Sequence, residues 1–160
     1  VGVHARTAFI SGTVISVYDG DTITIRQVSS GSTDGTIRKI RFYGIDAPEA
    51  GAPGRWESQA YSRASKEFVE AMLLGKEVTV RYDGMSYDRV VGEVFVDGRS
   101  ASRELVRAGL AWWSQKYAGH DTDLKRIEEV ARTEGKGLWA QENPVSPWSY
   151  RDAATKKSSQ

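Results

Sequence analysis

The sequence predicts an α+β domain in which a five-stranded sheet curls into a barrel and three α-helices pack against it. Three observations carry this expectation. Five short runs have strand character, with apolar and polar residues alternating in 22–28 and 37–43, helical character marks three further stretches, and glycines or Asp-Gly pairs stand at the breaks between them. At 160 residues the chain suits a single hydrophobic core.

Residues 10–18 and 22–28 are rich in Val, Ile and Thr and meet at Asp19-Gly20, a strong hairpin signal. Residues 29–35 form a Ser/Gly/Asp loop. Residues 37–43 alternate again, with Ile40 and Phe42 on one face and Lys39, Arg41 and Tyr43 on the other, so Arg41 need not enter the core. The stretch 44–55 holds two prolines and three glycines and reads as an exposed functional loop. Helical spacing over 56–74 sets Ala60, Ala64, Phe68, Met72 and Leu73 on one stripe, with Gly75 as the stop.

Residues 77–82 and 90–96 supply the fourth and fifth strands, the latter ending at Asp97-Gly98. A second helix over 100–108 stops at Gly109. A third over 122–134 carries Leu124, Ile127, Val130 and Ala131 on one face, with Asp121 as N-cap and Gly135 beyond its end. From Gln141 onward the composition is Ser, Pro and Lys-Lys, which reads as a surface arm that frays. The expected division is a flexible segment 1–8, a barrel domain 9–143 and a C-terminal arm 144–160. Strands with one helix between the third and fourth, followed by helices, make an OB-type barrel the natural architecture.

Composition removes whole classes of chemistry. There is no cysteine, hence no disulfide, thiolate nucleophile or Cys-type zinc site, and the two histidines, His4 and His120, cannot form a paired-His centre in the core. Lys and Arg number 22 against 21 acids, so the net charge of +1 gives no general attraction for nucleic acid and any phosphate binding must come from local charges. No apolar run approaches the roughly 20 residues that span a bilayer. The chain begins at Val1 without Met and carries no signal peptide, which reads as a processed form. His120 reads as a loop residue, Trp112-Trp113 as packing in at least one member, and Trp139 and Trp148 as anchors of the C-terminal segment.

Carboxylates and arginines remain. Asp19-Gly20-Asp21-Thr22 ends the first strand, and Asp46-Ala47-Pro48-Glu49 follows the third. Each cluster alone is an ordinary turn, but at the ends of strands in one sheet their carboxylates can converge on a hard cation such as calcium. Arg41 and Arg89 flank them. An arginine does not act as a base at neutral pH, but its planar fork holds two phosphate oxygens.

On these residues the sequence resembles the staphylococcal nuclease (thermonuclease-like) family. The matching stretches are Tyr18-Asp-Gly-Asp-Thr22, Arg41-Phe-Tyr-Gly-Ile-Asp-Ala-Pro-Glu49 and Tyr87-Asp-Arg89, supported by Val96-Asp-Gly98, Leu105 to Ala111 and Gly137-Leu-Trp139, over about residues 8 to 143. The resemblance implies that Asp21, Asp46 and the carbonyl of Ala47 hold Ca²⁺, that Glu49 reaches the attacking water, and that Arg41 and Arg89 grip the phosphate. It places Tyr87 and Tyr117 at the nucleotide. It further implies a calcium-dependent endonuclease that hydrolyses DNA and RNA to 3′-phosphate ends, secreted or envelope-associated in a bacterium. We expect a monomer with no obligate protein partner. Departures from the family pattern are Ala47 for Thr, Ser86 for Lys, Asp88 for Gly and Gln115 for Tyr. The alternative is a non-catalytic OB-fold module that binds nucleic acid or protein. Such modules lack part of the acid and arginine set, whereas Asp21, Arg41, Asp46, Glu49 and Arg89 are all present here.

Overall fold

The computed structural model describes residues 7–28, 35–83 and 89–159. In chain order the elements are β1 (Thr7–Asp19), β2 (Thr22–Val28), β3 (Ile37–Phe42), the short β4 (Ile45–Asp46), α1 (Ser62–Leu73), β5 (Glu77–Asp83), β6 (Val90–Val96) and β7 (Arg99–Ser100). They continue with α2 (Ala101–Arg107), β8 (Trp112–Trp113), α3 (Gln115–Ala118), α4 (Thr122–Thr133), a 3₁₀ turn at Gly137–Ala140, and α5 (Pro147–Ser158).

The expected alternation builds the barrel. Strands run β3-β2-β1-β5-β6, each antiparallel to its neighbour, and a parallel pairing of β3 with β6 (Ile40↔Val90, Arg41↔Val91, Phe42↔Gly92) closes the ring. Inside it Val14, Ile23, Ile25, Ile40, Phe42, Val78, Val80 and Val94 are almost wholly buried, each side chain contributing about 1.5–3 kcal/mol. β1 pairs with β5 along its first half and with β2 along its second. Its register slips around Ile15 and again around Tyr18. Such bulges bend and twist a strand, which lets one strand serve two neighbours around a tight barrel. Among the described residues no helix is long and apolar enough to cross a membrane.

Glycines set two approaches that matter for the acids. Gly44 has φ 76°, and a Cβ there would stand 2.7 Å from Leu124 Cδ1; it turns the chain out of β3 into β4. Gly20 lies in the β1–β2 turn, where a Cβ would fall 2.6 Å from the Cβ of Ser65 on α1 and 2.8 Å from that of Ala47. Neither neighbour has a flexible end to move aside. Gly20→Ala is therefore expected to cost about 1–3 kcal/mol of stability, read as a lower denaturant midpoint with unchanged slope; an unchanged midpoint would show that the turn is not wedged.

Several expectations shift. α1 starts at Ser62 rather than 56, and its inward face is Ser65, Val69 and Leu73 with Phe68 and Met72 beside it, while Ala60 and Ala64 are exposed. The physical reason is the close approach of the β1–β2 turn, which selects the small Ser65, whose hydroxyl donates to the Leu110 carbonyl. On α4, Glu128 is buried and Val130 is half exposed, because the Glu128 carboxylate accepts the Trp113 amide at 2.7 Å and the Arg132 side chain. The loop 44–55 is buried over residues 44–48, where β4 pairs with β8 (Ile45↔Trp113, Asp46↔Trp112).

Residues 147–158, read from sequence as a fraying arm, form α5, with Ser146 capping the Ser149 amide and Pro147 at the first position. Of the expected flexible segment 1–8, Thr7 and Ala8 already pair with Asp83 and Tyr82, and the rest lies outside the described residues. Asp121 caps α4 as expected, accepting the Leu124 amide at 3.0 Å.

Candidate active site

Three chain segments converge at one rim of the barrel. The first is the β1–β2 turn. Asp21 is 2% exposed and fixed on every side. Its amide donates to Asp19 Oδ1 at 3.0 Å, its carbonyl accepts the Phe42 amide at 2.8 Å, and its carboxylate accepts the Thr22 hydroxyl at 3.0 Å and the Ala47 amide at 2.8 Å. Burial raises the Asp19 carboxyl to about 7, with the negative charge of Asp21 adding to it. Near neutral pH Asp19 is thus partly protonated, which spares the turn some of its negative charge.

The second segment runs from β3 through β4 to Glu49. Arg41 sits on β3 between Thr22 of β2 and Val91 of β6. Its Nη1 pairs with Asp21 Oδ1, and its Nη2 lies 3.4 Å from Asp46 Oδ1 and from the Ile45 carbonyl. Burial works against the Arg41 charge, but Asp21 and Asp46 outweigh it and hold its pKa above the ordinary value. Asp46 is 7% exposed and held by the β4–β8 pairing. Gln59 clamps the Glu49 backbone, its side-chain oxygen accepting the Glu49 amide at 3.0 Å and its backbone N–H donating to the Glu49 carbonyl at 2.8 Å.

The third segment is α5, which the sequence reading did not place in the site. Arg151 Nη2 donates to Asp46 Oδ2 at 2.7 Å, and its Nη1 donates to Asp46 Oδ1 at 3.2 Å and to Glu49 Oε1. The hydrogen bonds to Asp46 and then to Glu49 raise its pKa against the opposing effect of burial. One signal pointed here, the Ser146-Pro147 start, which is a helix cap followed by a first-turn proline.

A cavity of about 640 Å³ collects the set: Arg41, Asp46, Glu49, Arg89, Tyr117 and Arg151 all line it. Arg89 stands one residue before Val90, the partner of Ile40, and two before Val91, the partner of Arg41, so the β3–β6 pairing brings it to the same rim. Tyr117 is 73% exposed on α3, and Gln115 lines an adjoining cavity with Tyr117, Trp148 and Arg151. Tyr87, Asp88 and Ser86 lie outside the described residues. A larger cavity of about 760 Å³ shares Tyr43 and Val91 with the first. There Arg103 bonds Glu93, Asp121 and Asp123 while Tyr43 donates to Asp121, and Arg41, Asp46, Glu49 and Arg89 are not among its lining residues. We therefore place the chemistry in the smaller cavity.

Trp112 is buried, and the indole of Trp113 donates to the Ala118 carbonyl at 2.9 Å. The rings of Trp139 and Trp148 meet Trp112 edge-on at 4.6 and 5.5 Å, the anchoring expected of them.

Among the described residues no three acids or histidines converge into a ready-made metal cage. The donor set nevertheless fits a hard cation that keeps part of its water shell. Asp21 and Asp46 offer only oxygens and both reach a single guanidinium, that of Arg41, so their carboxylates face a common cation position. The peptide of Ala47 lies beside them through its bond to Asp21.

An OB-type barrel whose rim cavity is lined by Asp46, Glu49 and three guanidinium groups carries the groups that phosphodiester chemistry uses. Comparison with known families matches residues 39–141 to the family described as Staphylococcal nuclease homologue, and the chain belongs to that family. The matched stretch takes in Arg41, Asp46, Ala47, Glu49, Tyr87, Arg89 and Tyr117 and leaves Asp21 and Arg151 outside. The chain is 36% identical over 146 residues to an Escherichia coli protein named an uncharacterized endonuclease, covering 90% of this chain and 86% of that one. A Haemophilus influenzae protein of the same description is 32% identical over 139 residues, covering 86% and 71%. The Arabidopsis thaliana staphylococcal-like nuclease CAN1 is 33% identical over 116 residues, 71% of this chain and 33% of the plant protein.

Proposed function

We propose that this protein is a calcium-dependent endonuclease that hydrolyses phosphodiester bonds of DNA and RNA by direct attack of water, leaving 3′-phosphate ends. The observation that carries the reading is the convergence of Arg41 and Arg89 with Asp46 and Glu49 on one cavity, with Asp21 paired to Arg41 behind it.

Asp21 and Asp46, with the Ala47 carbonyl, would hold the cation. Bound Ca²⁺ supplies positive charge that polarises a phosphoryl oxygen. Arg41 and Arg89 grip the non-bridging oxygens with their planar forks and balance the charge that accumulates on phosphorus. Glu49, with its backbone fixed by Gln59, accepts a proton from the attacking water, a role open to a carboxylate within about 3 Å of it directly or through one water. Tyr117, exposed at the rim with Lys116 Nζ 5.2 Å from its ring centre, offers a face for a base, and such stacking contributes about 1–3 kcal/mol with little sequence preference. No hydroxyl of a ribose is needed, which is why both nucleic acids qualify as substrates.

The test is cleavage of single-stranded DNA and of RNA with and without EGTA. We expect chelation to abolish cleavage, added Ca²⁺ to restore it, and the products to carry 3′-phosphates. Cleavage that continues in chelator removes the calcium assignment. A protein that binds nucleic acid but cuts neither substrate would instead be the non-catalytic OB-fold module.

A further inference from the structure

α5 lies beyond the family-matched stretch, yet it delivers a guanidinium to the acids of the site. It is bolted in place just ahead of Arg151. Trp148 packs edge-on against Trp112, whose backbone pairs with Asp46 itself. The Tyr150 hydroxyl donates to the Glu57 carbonyl at 2.7 Å. Gln59, which fixes Glu49, also donates to the Val145 carbonyl at 2.6 Å just ahead of the helix. One framework therefore positions Asp46, Glu49 and Arg151 together.

The Arg151 fork takes both oxygens of Asp46 and one of Glu49. A hard cation needs lone pairs of that same Asp46 carboxylate, so the guanidinium and the cation compete for it. A fork that fits a carboxylate bidentately also fits two oxygens of a phosphodiester. Arg151 lines the cavity that Arg41 and Arg89 share, and also the adjoining one with Tyr117 and Trp148. A released guanidinium thus stays beside the phosphate position.

We propose that Arg151 is a third phosphate-binding guanidinium of this active site, parked on Asp46 and Glu49 until a divalent cation takes over the Asp46 oxygens. This rests on the nuclease reading above. It makes α5 part of the catalytic unit.

Two readouts test it. Calcium binding is measured by calorimetry without nucleic acid, and cleavage of a single-stranded DNA oligonucleotide is measured at saturating Ca²⁺. Arg151→Gln is expected to bind calcium about 5-fold more tightly or better, because the competitor is gone, and to lose about 10²-fold in kcat/KM. Arg151→Lys keeps the charge, which guards against loss of fold; it is expected to hold calcium affinity closer to wild type while still cleaving poorly, since an ammonium lacks the fork. Calcium affinity that is unchanged or weaker in R151Q overturns the parking. Cleavage that is unchanged or faster overturns the phosphate role. A wild-type protein that neither binds calcium nor cuts nucleic acid takes the nuclease reading down as well, whereas an active wild type with an indifferent R151Q removes Arg151 alone.

Discussion

Arg41→Gln is expected to lower the rate of phosphodiester cleavage by about 10²–10³-fold, the usual cost of removing one preorganised donor aimed at transition-state charge. The structure gives Arg41 two duties that glutamine cannot perform. It neutralises Asp21 and Asp46, two buried acids brought to the same rim, and it presents its planar fork to the cavity that Arg89 also lines. Losing the first duty leaves Asp21 with its Ala47 and Thr22 hydrogen bonds, so the turn keeps part of its support. Steady-state cleavage of single-stranded DNA at saturating Ca²⁺ measures the chemistry, and a denaturant melt run in parallel separates it from loss of fold. Wild-type kcat/KM in a folded Arg41→Gln protein would sink the assignment.

Glu49→Gln should be about as damaging, with kcat reduced by about 10²–10⁴-fold, the range general-base catalysis supplies. The substitution is nearly isosteric. Gln59 holds Glu49 through its backbone, and an amide oxygen at position 49 can still accept from Arg151. The capacity to take a proton is lost, together with the negative charge that pairs with Arg151. The effect should therefore fall on kcat with KM close to wild type, the signature of an interaction made only in the transition state. Unchanged kcat, or a loss confined to KM, means that Glu49 binds substrate or orients the site without accepting the proton.

Much of this arrangement was legible in the residues. The inward alternation of Ile23, Ile25, Ile40 and Phe42 is a period that local sterics impose, so it survives folding intact. The acids could be found because hairpin and proline turns are marked by sequence. The face of α1 was misjudged because local spacing cannot report that a turn from elsewhere presses on Ser65. The burial of Glu128 depends on a backbone amide in β8, equally remote. Arg151 was missed because the Ser, Pro and Lys-Lys composition of the segment was read alone, without the Ser146-Pro147 helix start. Its partners lie 102 and 105 residues away, a distance that no window along the chain can see.

The parallel pairing of β3 with β6 has a consequence for activity as well as shape. It is the seam of the barrel, joining two strands that no hairpin connects, since Ile40 and Val90 meet only after the chain between them has folded back. Arg41 and Arg89 sit on its two lips. A molecule with the other strands in register and this zipper open would hold both guanidinium groups yet present them to different solvent, and so turnover reports closure of the barrel.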